Sequence, residues 1–383
     1  MIIQLTDNAL HLNFRPLTLT RPICELRFGI STLKETWVNF FSKASKSVTT
    51  YYETESYLST KYKSTSNFDF KLAGNVKPNQ NLINHILSLK NNEALYCNGK
   101  WIATKGHRED IKVDITDDSL LYLTHIWELF QLNDKALQLD FDLLTENRTS
   151  QKISDTNRTL NPEQIFIEAG AKVEFSILNA STGPIYIGKD AEVMEGAIIR
   201  GDFALLDHAT VKMGAKIYGA TTIGPHCKVG GEISNCILQA YSNKGHDGFI
   251  GNSVIGEWCN LGADTNSSNL KNNYGKLKIY SYQTNQLEQT DNLFCGVLMG
   301  DHSKTGINTM LNTATTIGVN ANIFGAQFPP KYISSYNWGG FENSPKFKLE
   351  KSFEVSENMM KRRHLDLLDV DKAILKHIAD NNL

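Results

Sequence analysis

The sequence predicts an α/β N-terminal unit, then an all-β left-handed parallel β-helix of hexapeptide repeats, then a helical C-terminal tail. Three observations carry this. Every sixth residue from Ile187 to Val229 is aliphatic (Ile187, Val193, Ile199, Leu205, Val211, Ile217, Ile223, Val229). Residues 1 to about 145 mix alternating and helix-spaced apolar stretches instead. Phe353 to Leu383 places Met359, Met360, Leu367, Leu368, Ile374, Leu375 and Ile378 at amphipathic-helix spacing.

In the first unit, Ile2-Ile3-Gln4-Leu5 reads as a strand, and Ala94 to Ala103 as a hairpin turning at Asn98-Gly99. Asn79 to Leu89 and Ile126 to Leu144 carry helical apolar spacing. The polar run Thr145 to Arg158 reads as a linker. The expected division is 1–150, a shortened α/β unit; 160–340, the β-helix; and 341–383, the helical extension.

A period of six fits neither a helix at 3.6 nor a lone alternating strand at 2. It fits a short strand and a turn, repeated, with three repeats closing one triangular turn and each aliphatic pointing into the prism. Residues four places after the aliphatic are small or compact, as at Ala191, Ala197, Ala209, Ala215, Thr221 and Cys227. The count stumbles at Ser242-Asn-Lys-Gly-His-Asp-Gly-Phe-Ile-Gly251 and resumes as Phe249, Ile255, Leu261, with an offset from Val229 to Phe249 of three hexapeptides plus two residues. It resumes again as Met299, Thr305, Leu311, Ile317, Ile323. Residues 267–293 are polar and carry no repeat, so they read as a loop ejected from the coil and used for binding or catalysis.

The net charge of −2 gives no bulk attraction to nucleic acid or to an anionic membrane. No signal-like segment and no run of about 18 apolar residues is present, so the expectation is a cytoplasmic protein without a membrane partner. Six scattered cysteines, with no C-x-x-C pair, read as reduced and buried. Arg15, Arg21 and Arg27 follow the first strand at a spacing of six, where guanidinium forks could grip the phosphates of a sugar nucleotide; a basic loop pairing with local carboxylates is the alternative.

The segment Arg15-Pro-Leu-Thr-Leu-Thr-Arg-Pro22 resembles the start of sugar-1-phosphate nucleotidyltransferases, and the coil resembles the acetyltransferase half of the bifunctional N-acetylglucosamine-1-phosphate uridyltransferase/glucosamine-1-phosphate acetyltransferase family. Together they resemble a variant of that family with a shortened N-terminal unit. The likeness is closest where Glu232-Ile233 precedes His246 by fourteen residues, followed by Ile255-Gly256, Asn260 and Leu261-Gly262-Ala263. It implies His246 as the base that takes a proton from an amino sugar attacking acetyl-CoA, with Glu232, Asn260 and Asn269 contacting the sugar. The family's glycine-rich phosphate loop is replaced here by Asp7 to Arg15, and a family lysine by Ser234, which leaves Lys244 as the nearby cation for the sugar phosphate. The resemblance further implies UTP and Mg2+ for a nucleotidyl step, with metal ligands that cannot be placed, and a homotrimer. Two other readings stay open: a non-catalytic, sugar-nucleotide-binding trimeric scaffold, and a γ-type carbonic anhydrase, for which the position five after His246 is Gly251 rather than a ligand.

Overall fold

The computed structural model describes residues 1–44, 47–341 and 343–383. The N-terminal unit is a mixed six-stranded sheet. Its first strand Ile2–Thr6 lies between and parallel to Thr49–Glu53 and Phe70–Ala73, and the sheet continues through the hairpin Glu93–Cys97 and Lys100–Lys105. The hairpin turns through Asn98 and Gly99, both at positive φ, as an Asn-Gly turn requires. Helix Gln80–Ser88 starts where the Asn79 side chain accepts from the Leu82 amide at 2.8 Å.

From strand Arg158–Leu160 to strand Trp338–Gly339 the chain winds as a three-sided parallel coil. Inward residues stack in register, turn upon turn: Ile187, Leu205, Ile223, Leu238, Ile255, Met299, Ile317, Ile333 on one face. Among them Ile187, Leu205, Ile223, Leu238, Ile255, Met299 and Ile317 are fully buried. All six cysteines are buried too, as their scattered spacing suggested.

The stumble has a different cause from the one the count suggests. Ile250, not Phe249, pairs with Ile233 and points inward, so the track from Val229 runs through Ile233, Leu238, Lys244 and Ile250 and falls three residues short of four full repeats. Two are lost at the corner Gly230-Gly231, where four residues lead from Val229 to Ile233 although six lead from Val211 to Ile217. The third is lost between Ile233 and Leu238. Gly231, at φ +74°, permits the tightened turn.

The three faces differ outward. On the second face, the outward residues Phe166, Tyr186, Ala204, Thr222, Ile237, Val254, Leu298 and Thr316 are all buried, because the N-terminal unit lies over them. Phe166, Tyr186 and Ala204 pack with Ile30, Leu137 and Phe141, while Ile237, Val254 and Leu298 join the core around Ile3, Phe14 and Ile23. Polar contacts fix the register of this union. Asn133 donates to the Ala220 carbonyl and to Thr222 Oγ1, and Thr222 donates to the Gly29 carbonyl at 3.0 Å.

A second ladder runs along the corner between the second and third faces. The third residue after each inward aliphatic is left-handed: His208, His226, Tyr241, Trp258 and His302 have φ between 55° and 60°. Their rings stack nearly parallel, with successive centroids 4.8, 4.9, 4.3 and 6.4 Å apart. Stacking offsets a backbone conformation that bulky residues ordinarily avoid. The tail helices Leu349–Lys361 and Asp369–Asp380 pack on this ladder, with Trp258 and Tyr336 in one cluster with Met360, Ile374 and Leu375. Ser356 Oγ lies 3.2 Å from His302 Nδ1, and Tyr336 donates to the Leu375 carbonyl at 2.9 Å. Among the described residues no helix is long and apolar enough to cross a membrane.

Burial, followed by the nearby Lys304, pushes the His302 pKa down to about 3. An exposed imidazole takes up its proton near pH 6.5, so acid favours the undocked or unfolded chain. Stability is therefore full above about pH 6.5 and should fall as pH drops toward 3, by up to about 1.4 kcal/mol per pH unit. Chemical denaturation as a function of pH checks this; His302→Asn, with a residue that tolerates positive φ, should flatten the acid slope. At the other junction, Arg21→Ala leaves the Glu257 and Asp301 carboxylates without their guanidinium partner, and should cost about 3–5 kcal/mol in urea unfolding. The double change Arg21→Met with Asp301→Asn should cost less.

Candidate active site

His246 sits at the corner between strand Asn243–Lys244, on the third face, and strand Phe249–Ile255. Its own corner has the ordinary six-residue length, but the corner one turn below is two residues shorter, so Gly245 to Gly248 stands out from the coil. The His246 side chain is exposed. It borders a cavity of about 740 Å³ on the third face, between this corner and the ring ladder. Asn243 and Asn260 form the floor as outward residues of their strands, and Tyr241 and Trp258 form one wall. Met359, Arg362 and Arg363 of the tail close another side.

The cavity is strongly basic. Lys212, Lys228, Lys304, Arg362 and Arg363 all line it, and among the described residues no carboxylate does. Burial lowers the Lys228 pKa, and the neighbouring Arg363 and Lys212 charges push it further the same way. Burial brings Lys304 down to about 8. Crowded cations in a partly dehydrated cleft repel one another, and a multiply charged anion relieves that repulsion.

Lys244 is not a substrate cation. Its Cα lies on the inward track between Val229 and Ile250, its side chain is fully buried, and its Nζ donates to the carbonyls of His246 at 2.5 Å and Asp247 at 2.8 Å. Burial lowers its pKa to about 8, against the pull of Asp247 and Asp264. The lysine thus braces the histidine corner from inside the prism, and a phosphate outside cannot reach it.

Asn260 is the one sugar-contacting candidate that joins His246 at the cavity. Asn269 lies elsewhere, at the base of the ejected loop, where it donates to Asn252 Oδ1 at 2.8 Å. Glu232 faces outward on the first face and accepts from the Tyr218 hydroxyl at 2.6 Å. The ring ladder and the tail arginines were missed by sequence reasoning, although the ladder has a signal: His208, His226, Tyr241, Trp258 and His302 all stand three residues after an inward position.

The N-terminal arginines also part company. Arg21 is buried and pairs with Glu257 at 2.6 Å and with Asp301, both in the coil. Arg27 is buried, its amide donates to Gln239 Oε1 at 2.7 Å and its Nε to the Gln239 carbonyl, and Glu35 lies 3.8 Å away. Both hold the unit on the coil instead of gripping a nucleotide. Only Arg15 borders a substantial cavity. In the loop that replaces the glycine-rich one, the Asp7 carboxylate is already taken by the Ile23 amide and His11 Nδ1, each at 2.8 Å, and by the Thr54 hydroxyl. Among the described residues no group of three or more His, Cys, Asp or Glu is placed to hold a metal ion; magnesium is ordinarily held by one or two carboxylates together with substrate phosphates, and no step is assigned to it.

Residues 3–149 match the family model described as sugar nucleotidyl transferase. The bifunctional protein GlmU of Trichodesmium erythraeum (strain IMS101) is 26% identical over 140 residues, covering 36% of this chain and 25% of that protein. The bifunctional sugar-1-phosphate nucleotidylyltransferase/acetyltransferase of Sulfurisphaera tokodaii is 24% identical over 216 residues, covering 56% of this chain and 53% of that protein. The chain thus spans about a quarter of the first relative and about half of the second. A solved UDP-N-acetylglucosamine acyltransferase from Francisella novicida aligns with a TM-score of 0.26 at 14% identity, over 59% of this chain and 88% of that one. The chain is thus similar to these bifunctional proteins over part of their length: a segment that matches the sugar nucleotidyl transferase family, joined to a parallel β-helix.

Proposed function

We propose that the chain transfers the acetyl group of acetyl-CoA to an amino sugar phosphate in the cleft beside His246, as a cytoplasmic step of nucleotide-sugar synthesis. The observation that carries this reading is an exposed imidazole at the edge of a 740 Å³ basic cavity with an aromatic wall. The cations suit the phosphates of a coenzyme A thioester, and the Tyr241 and Trp258 rings suit its adenine. Asn260 is placed for a sugar hydroxyl.

An ammonium has no lone pair with which to attack, so the reacting species is the free amine, formed when the ammonium releases one proton to solvent. His246 accepts a second proton as the amine nitrogen bonds to the thioester carbon, the carbon–sulfur bond breaks, and the imidazolium returns that proton to the departing thiolate. The products are N-acetyl sugar phosphate, free coenzyme A and the one proton released to solvent. Lys244 keeps the backbone carbonyls of His246 and Asp247 fixed, so the ring projects from a braced corner.

The remaining face supports assembly. Leu160, Ile177 and Ile198 are each between 43% and 52% exposed along one strip of the first face, and we assign this strip to a homotrimer in which a neighbouring copy approaches the His246 corner. For the N-terminal unit, the match of residues 3–149 to the sugar nucleotidyl transferase family supports nucleotidyl transfer from UTP; the second reading, in which the unit only binds and docks, is supported by the internal engagement of Asp7, Arg21 and Arg27.

Thiol release from acetyl-CoA with glucosamine 1-phosphate should fall about 10²- to 10⁴-fold in His246→Ala; an unchanged rate contradicts the reading. Lys244→Met should lower kcat at least severalfold with little change in KM, while the melting temperature holds or rises because a buried cation is removed. Light scattering should give a trimer, and a monomer would remove the shared cleft.

A further inference from the structure

The lining of the His246 cleft changes character along the coil axis, each turn lying about 4.8 Å from the next. Lys212 and Lys228 stand on the two turns before the histidine, and the charges of Arg362 and Arg363 reach Lys228. Ala263 and Ile307 take the histidine's own corner position, two residues after an inward one, on the two turns that follow, with Leu261 and Gly262 beside them. Lys304 shares the Ile307 turn, but its Nζ donates to the His302 carbonyl at 2.7 Å, on the ring-ladder side. Phe324 comes one turn later, its Cβ over Gly306 and its ring edge-on to Trp338 at 5.6 Å. Asp247 and Asp264, one residue further along two of these corners, do not border the cavity. The cleft is thus cationic at one end, carries the imidazole in the middle and is apolar along the corner beyond it.

The apolar stretch is uncovered. Ile307 is 72% exposed and Phe324 44%. The ejected loop gives the cleft no residue, since it folds back onto the N-terminal unit, where Gln283 donates to Asn13 Oδ1 at 2.7 Å. Side chains of this size gain free energy when an apolar group covers them, and two adjoining ones at the rim of a cavity suit the apolar part of a ligand. On the floor beside His246, Asn243 Oδ1 is buried with no hydrogen-bond donor among the described residues, and a bound molecule with an N–H there would relieve it.

The order of these parts decides the class of ligand. A coenzyme A thioester carries, in sequence, phosphates, a pantetheine arm with amide N–H groups, the thioester and the acyl chain. Its phosphates fall to the cationic end, an N–H of the arm to Asn243 and the thioester carbon to His246. An acetyl group stops at that point, whereas a longer chain continues past Ala263 to Ile307, two turns or about 10 Å further on. We propose that the cleft takes medium-chain acyl thioesters of coenzyme A, with the alkyl chain lying along Ala263 and Ile307 toward Phe324. This rests on the acyl-transfer reading of the same cleft and names its donor class: acetyl is the shortest chain accepted, and longer ones are held more tightly. A methylene moved fully from water into apolar surroundings strengthens binding about fourfold, and one covered on a single side about twofold.

The test is calorimetric titration of the full-length wild-type protein, without an amine acceptor, with coenzyme A and its acetyl, butyryl, hexanoyl and octanoyl thioesters. Affinity should rise along the series, with the octanoyl thioester bound at least about tenfold more tightly than the acetyl one. Ile307→Asn should cut that ratio at least severalfold; if its melting temperature shows that it folds poorly, Phe324→Ser decides in its place. Equal affinity for the acetyl and octanoyl thioesters, or a ratio untouched by the substitution, overturns the proposal. So does light scattering in which Ile307→Asn breaks up an assembly, because a second copy of the chain then covers this stretch. Coenzyme A binding with no gain along the series defeats the donor assignment and leaves acetyl transfer standing; no binding by any member defeats the acetyl-transfer reading and the assignment with it.

Discussion

A parallel coil of this kind presents three outward faces, and burying one of them determines what the other two can do. From Phe166 through Leu298 the second face carries rings and aliphatics where the third carries Lys172, Glu192, Lys228 and Lys304. Water contact along so long an apolar strip is unfavourable by about 25 cal/mol per Å², and the N-terminal unit removes it. Arg21 and Arg27 lock that union, because the Asp301 carboxylate and the Gln239 amide they meet are in the coil and buried with them. With that face covered, the basic cleft of the third face and the apolar strip of the first remain exposed.

The cleft then arises from two departures from regular repetition. A corner shortened by two residues leaves the next one proud, and an inward lysine, where the repeat calls for an aliphatic, braces it through two carbonyls. The ring ladder supplies both the aromatic wall and the bed for the tail, and the tail in turn delivers Arg362 and Arg363. Tail docking and cleft charge are therefore coupled: the buried, neutral His302 that anchors the tail lies on the same ladder as the Trp258 that lines the cavity.

Much of the fold could be read from the residues. A strict period of six has one economical solution, and the Asn98-Gly99 turn and the Asn79 cap sit where local chemistry demands them. What could not be read was the direction of contacts. Three arginines at a spacing of six look alike on paper; only the folded chain separates Arg15, facing a cavity, from Arg21 and Arg27, committed to Asp301 and Gln239 more than two hundred residues away. Lys244 looked like a substrate cation because sequence does not say which way a side chain points once the count is broken. Counting back six from Ile255 reaches Phe249 rather than the inward Ile250, because the turn around Asn252 has also lost one residue. The polar ejected loop was legible as a special segment, but its destination on Asn13 was not.

The most direct test of the account is a crystal structure of the protein with coenzyme A. Density for its diphosphate among Lys228, Arg362 and Arg363, with the thiol end directed to the imidazole of residue 246, is the predicted result. Coenzyme A bound elsewhere, with the cleft empty and the His246 ring turned away from it, would contradict the central claim.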